Sequence, residues 1–237
     1  MHNYLIFFNR YVEGSGDNAR FFGVFYMMFL SPSSLICTDR KNHCLRLVNF
    51  TMSPPETSTF AGNCTTFGQQ DGHRLDAALF AVPKHMDVDS SGSFMFVFDL
   101  VFANPAYTTL RRIDMLANEV TTAHFAFDQL LSDVRLFDEN VLFVANMTAV
   151  KSVDLNTGAE TEIAGASKGD AIGPFQHTML SSARGLLFWV DDIKVILLVA
   201  DGDNDRFVSI LFSKGTSRYV CNYALEIGCF LYYYLSM

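Results

Sequence analysis

A glycine- and acid-rich segment, GSGDNARF at residues 14–21, returns as DGHRLDAALF at 71–80 and again as KGDAIGPF at 168–175. Repetition constrains a fold more than any local pattern, because each copy must form one unit that buries its apolar face only by stacking on its neighbours. After each copy comes an apolar strand, a short turn and a second apolar strand ending in Asp or Asn. The second strands read SLICTD to Asp39, FMFVFD to Asp99, VLFVAN to Asn146 and VILLVAD to Asp201. A third strand sets a basic or polar residue in an apolar frame: HCLRLVN, LRRID, AVKSVDL and RFVSIL. A fourth precedes the next glycine: TSTFAG, EVTTAHF and ETEIAG.

Asp39 to Asp99 is 60 residues, Asp99 to Asn146 is 47 and Asn146 to Asp201 is 55. Four short antiparallel strands in units of this length describe a propeller blade. The spread comes from insertions, FANPAY at 102–107 and SPPE at 53–56. The expected class is therefore all-β, a β-propeller of about four blades at residues 14–63, 64–125, 126–165 and 166–212, with an irregular apolar tail at 213–237. In FMFVFD, Phe94, Phe96 and Phe98 share one face while Met95 and Val97 are apolar on the other, as in a strand covered on both sides. The phenylalanines then read as packing between blades.

The residues at these positions resemble the NHL repeat. The first unit matches best, with Thr38, Asp39, Asn42, His43, Leu45, Arg46 and Val48 in the family's order. The second keeps Asp71–Gly72, Pro83, Leu110, Arg111 and Ile113 but lacks the Asn–His pair. The third keeps strand patterning, and the fourth keeps Asp201, Asn204 and Arg206. The resemblance covers roughly residues 11–212. It implies a propeller, usually six-bladed, so either four blades close or the units are a piece of a larger propeller, as YVEG at 11–14, where the fourth strand of a preceding blade belongs, suggests. Arg46 and Arg111 recur after the third-strand Leu, and a repeated residue serves the repeat, here as a hydrogen-bonding group between blades.

Composition removes several functions. Half the residues are apolar and mean hydropathy is +0.19, too apolar for disorder. Lys and Arg number 17 against 25 Asp and Glu, a net charge of −8. That gives no footprint for nucleic acid. No stretch reaches the ~20 apolar residues of a helical span, so none is expected. The longest, FFGVFYMMFL, stops short, and 185–200 is broken by Asp191, Asp192 and Lys194. The first residues, MHNYLIFFNRYVEG, lack the basic start and cleavage site of a signal peptide.

Catalytic patterns are absent from the sequence. There is no G-x-S-x-G, no H-E-x-x-H and no C-x-x-C. Asp201, Asp203 and Asp205 open like a Ca²⁺ loop, but the twelfth position is Phe212 where a Glu is required, and a hairpin turn uses the same residues. No other cofactor is indicated. The turns on one rim are the expected binding face, bearing Arg40, Lys41, His43, Asp71, His73, Arg74, Asp203 and Asp205, with residues 104–107. Cys37 and Cys44 flank the turn DRKN. With Asp39 opposite Asn42 they face each other across the hairpin, as a disulfide or as two packed thiols. Sequons at Asn49, Asn63 and Asn146 mark glycosylation candidates. Together these favour an extracellular or luminal setting over the cytoplasm. The expected function is a non-enzymatic propeller that binds a protein partner or ligand as part of a larger extracellular chain. The alternative is a metal-dependent lyase or lactonase of the propeller type.

Overall fold

The strands form where alternation and β-branched or aromatic runs require them. The computed structural model describes residues 11–101, 108–127, 131–138, 140–165, 168–171, 178–190, 194–213 and 220–227. The insertion at 102–107, and with it the expected rim turn at 104–107, lies outside these residues. So do residues 1–10, 172–177 and 228–237. The chain is all-β, built from four antiparallel sheets that are blades of a β-propeller.

The first sheet contains β1 (Gly14–Ser15), β2 (Val24–Ser31), β3 (Ser34–Asp39), β4 (Cys44–Asn49) and β5 (Glu56–Ala61), in the order β1-β5-β4-β3-β2. The second contains β6 (Gly72–His73), β7 (Pro83–Val88), β8 (Phe94–Leu100), β9 (Thr108–Asp114) and β10 (Glu119–Phe127), in the order β6-β10-β9-β8-β7. The third runs β11 (Leu131–Leu136), β12 (Val141–Asn146), β13 (Val150–Asp154), β14 (Glu160–Ala164), paired in sequence order. The fourth runs β15 (Ala183–Val190), β16 (Lys194–Asp201), β17 (Arg206–Ser213), β18 (Val220–Ile227), paired likewise. Two compact units hold two sheets each, Met1–Ala126 and Phe127–Met237.

Two boundary regions are partly described. Gly14 and Ser15 pair with Thr57 and Glu56, extending the first sheet beyond β5, while most of residues 1–13, the segment expected as a strand of a preceding blade, lies outside the described residues. Gly72 and His73 do the same to β10. Both glycines have φ near +140°, +141° and +135°, which other residues rarely adopt. The region after residue 212 is not wholly irregular, because β18 pairs with β17 as a fourth strand.

In the first unit, Ile36, Leu45, Phe60, Phe80, Met86, Met95, Val97 and Ile113 are buried together, joining the facing sides of two sheets. Met95, Phe96, Val97 and Phe98 are all buried, so β8 is covered on both faces as its composition requires. In the second unit Phe137, Phe143, Phe188 and Phe212 form a ring cluster with centroids 5.0 to 5.8 Å apart. The reading of phenylalanine as interior packing does not extend to Phe29 and Phe67, which are 63% and 52% exposed.

One device recurs in three sheets. The Asp ending the second strand is fully buried and accepts backbone N–H groups from the segment entering the first strand. Asp39 accepts from Phe22 at 2.8 Å, Asp99 from Ala81 and Val82 at 2.9 and 2.7 Å, and Asp201 from Ser181 and Ser182 at 2.8 and 2.9 Å. A buried third-strand Arg approaches the same carboxylate and donates to two carbonyls of that entering segment. Arg46 donates to Val12 and Arg20, Arg111 to Gln70 and Leu79, and Arg206 to Asp170 and Met179. These arginines therefore clasp their own blade, which corrects the between-blade role expected of them. Arg206 does so from two residues earlier in register: it faces Asp201, while Arg46 faces Cys37 and Arg111 faces Val97. In the third sheet Asn146 and Lys151 hold the matching places, and Lys151 pairs with Glu160 instead.

Candidate functional site

The clasp fixes the turn between the second and third strands. In the first sheet Arg40–Asn42 make one 3₁₀ turn and His43 closes it in the left-handed region, at φ 62°. Asn42 donates to the Asp39 carboxylate at 2.7 Å, and the Arg40 and Lys41 amides donate to the Gly23 and Phe22 carbonyls at 3.3 and 3.0 Å. Gly23 has φ +86°, and a Cβ there would stand 3.1 Å from the Lys41 side chain. The imidazole Nδ1–H of His43 donates to the Ala81 carbonyl, reaching the second sheet. The ring also stands edge-on to Phe67 at 5.3 Å.

This turn is longer than the sequence suggested, and the hairpin register changes with it. Asp39 faces Cys44, so Cys37 faces Arg46 and no Cys37–Cys44 bond forms. Cys44 instead bonds Cys64, with Cα atoms 5.0 Å apart, and Cys37 is a buried free thiol. The missed pairing follows from the next hairpin: Leu45 faces Ala61, which brings the chain after Gly62 back beside Cys44.

Between the first two sheets lies a cleft of about 410 Å³ lined by Phe22, Arg40, Lys41, His43, Val82, Lys84 and Leu100. It holds three of the sequence-predicted rim residues and one that was missed, Lys84 on β7. Nothing in a single strand signals Lys84, because its neighbours come from the preceding blade. Arg40 and Lys84 both lie over the Phe25 ring, at 5.5 and 5.6 Å from its centroid, and Lys41 lies 4.7 Å from that of Phe22. Such contacts hold cations against an aromatic face. Among the described residues none of Arg40, Lys41 and Lys84 has a carboxylate ion-pair partner. Burial lowers the Lys84 ammonium below its ordinary value, and the Arg40 guanidinium lowers it further.

The other expected residues are spent on structure. Asp71 accepts from Arg111 at 2.9 Å and from the Thr122 amide and hydroxyl at 2.9 and 2.8 Å. Burial opposes ionisation of Asp71, but these donors outweigh it and its carboxyl lies below the ordinary range. Arg74 donates to Asn118 at 2.7 Å and to the Phe60 carbonyl, taking the between-blade role once expected of Arg46 and Arg111. His73 stands 2.8 Å from Asp76.

The turn of the fourth sheet repeats that of the first. Gly202–Asn204 make the 3₁₀ turn, Asp205 is left-handed at φ 50°, and Asn204 donates to Asp201 at 2.7 Å. The resemblance of Asp201, Asp203 and Asp205 to a Ca²⁺ loop coincides with this turn. Asp201 is occupied by Ser181, Ser182, Asn204 and Arg206, and Asp203 pairs with Arg184 at 3.1 Å. Among the described residues no three His, Cys, Asp or Glu side chains gather as metal ligands. One backbone turn thus carries Arg–Lys–Asn–His in the first sheet and Gly–Asp–Asn–Asp in the fourth.

Asn49 and Asn63 each accept the amide and hydroxyl of the Thr two residues on, in turns that leave Asn63 exposed. Asn146 is 7% exposed and accepts from the Thr148 and Ala149 amides. Among the described residues no helix is long and apolar enough to cross a membrane.

No family model and no curated protein sequence matches this chain. Solved structures do. Hydrazine synthase of Kuenenia stuttgartiensis matches 91% of this chain and 53% of its own, at 13% identity and a TM-score of 0.52. A hypothetical selenium-binding protein of Sulfolobus tokodaii matches 90% and 56%, at 10% identity and 0.54. The periplasmic gluconolactonase of Pseudomonas aeruginosa matches 86% and 54%, at 13% identity and 0.50. This chain spans just over half the length of each. What it shares with these structures is the β-propeller fold.

Proposed function

We propose that this protein is an NHL-type β-propeller acting as a non-enzymatic binding platform for a protein partner, within a larger extracellular or luminal protein. The single observation that carries the reading is the first-sheet turn, whose cations have no carboxylate partner among the described residues while Asp71, Arg74, Asp201 and Asp203 are engaged within the fold. The family-naming residues have structural work that suits an NHL assignment. Asn42 caps the turn, His43 crosses to the next blade and Leu45 is fully buried. The Cys44–Cys64 bond supports an oxidising compartment, and Asn49 and Asn63 sit in turns that suit glycans. Secretory-host expression followed by glycosidase treatment tests the setting: a mass shift reduced in Asn63→Gln and lost in the double variant with Asn49→Gln is expected, and no shift in the wild type contradicts it. Assaying the purified protein on aldonolactones, with and without Ca²⁺ or Zn²⁺, tests the non-enzymatic reading. No hydrolysis above buffer is expected, and metal-dependent turnover overturns it in favour of a lactonase.

A further inference from the structure

The cleft beside the first-sheet turn combines features that define a class of ligand. Among the described residues its polar lining is basic: Arg40, Lys41, His43 and Lys84, with no Asp or Glu. This occurs in a chain of net charge −8, so the basic cleft is local and not a broad surface. The remaining lining, Phe22, Val82 and Leu100, is apolar. Arg40 and Lys84 lie over one ring, a like-charge pair that an intervening anion stabilises. The cations stand on a scaffold set by hydrogen bonds: Asn42 to Asp39, Lys41 to Phe22, Arg40 to Gly23 and His43 to Ala81. A preordered site loses little entropy on binding.

We propose that this cleft binds an acidic peptide segment of the partner, with carboxylates on Arg40, Lys41 and Lys84 and an interspersed apolar side chain against Phe22, Val82 and Leu100. The proposal rests on the platform reading given above. A bare anion uses the cations and leaves the apolar floor idle. A nucleic acid strand must run beyond the cleft over a surface of the same sign. A peptide that alternates acidic and apolar residues satisfies both halves of the lining and ends where the basic charge ends.

The test uses the whole chain and a fluorescein-labelled peptide of alternating Glu and Leu, followed by anisotropy. The matched Gln–Leu peptide, inorganic phosphate and a poly-uridine oligonucleotide serve as comparisons. Saturable binding of Glu–Leu is expected, at least tenfold tighter than Gln–Leu and weakened by added salt, since a charge-assisted contact is worth about a tenfold change in affinity. Lys84→Gln and Lys41→Gln should each weaken it about tenfold. Their thermal midpoints should stay close to that of the wild type, because neither side chain takes part in the clasp. Equal binding of Glu–Leu and Gln–Leu, unchanged binding by both variants, or no binding overturns the proposal. So does displacement by phosphate or oligonucleotide at concentrations comparable to the peptide. Failure here leaves the lactone assay free to support or reject the platform reading, since that assay does not depend on these cations.

Discussion

Asp99 shows how a single side chain is held between opposing effects. Burial pushes its carboxyl up to about 6, against the pull of the Ala81 and Val82 amides and Arg111. The folded chain then holds this proton more tightly than the unfolded one. The resulting stabilisation is complete below the unfolded value and is lost as pH rises through about 6. Denaturant titrations of wild type and Asp99→Asn at pH 4, 5.5 and 7 should show the wild type's margin falling with pH. A rising margin contradicts this account. Cys37 is a second buried group. Desolvation, followed by the charge of Asp39, raises its thiol to about 12. Since the thiolate is the reacting form, native protein at pH 8 should leave Cys37 unalkylated by iodoacetamide until denaturant is added. Peptide mass spectrometry showing ready modification in the native state contradicts it. The environment of Asp99 leaves no local mark in the sequence, because the amides that meet its carboxylate come from a segment 17 residues away.

At the scale of strands and turns, the clasp decides which residues are structural. Replacing Arg111 with Met strands the buried Asp99 charge, and removing one partner of such a pair costs about 3–5 kcal/mol. Urea unfolding should show a loss of that size, and a loss below 1 kcal/mol argues that the clasp is incidental. The Cys44–Cys64 bond closes a loop of 20 residues and ties the start of β4 to the chain after β5, next to His43. Its loss in Cys64→Ser should cost roughly 3 kcal/mol by loop-closure entropy, read from unfolding curves with and without reductant. Identical curves for both proteins contradict that role. Strand existence was legible because apolar runs such as FMFVFD and VILLVAD have few other uses. Hairpin register was not. It depends on a four-residue turn whose left-handed His43 has no local signature, and a shift there re-pairs Cys44. The recurrent Arg reads as structural from the sequence, yet its partners do not, because carbonyls of the entering segment leave no mark there.

Across the molecule, four repeats keep one backbone plan while their turns diverge in charge. The first turn carries Arg40, Lys41 and His43, and the fourth carries Gly202, Asp203 and Asp205 on the same geometry. Three of the cleft's residues were therefore legible as a rim turn, whereas Lys84 becomes visible only when two blades pack. The central claim is that the fold supplies the turn and its side chains supply the binding. A turn exchange, Arg40→Gly, Lys41→Asp and His43→Asp, tests it most directly, because Asn42 and the clasp remain. Thermal unfolding should show a folded protein whose midpoint is lowered by a few degrees, reflecting the lost His43 hydrogen bond of about 1 kcal/mol. Anisotropy on the same sample should show that the Glu–Leu peptide no longer binds. An exchanged protein that binds the peptide as the wild type does, or one that cannot fold, contradicts the account.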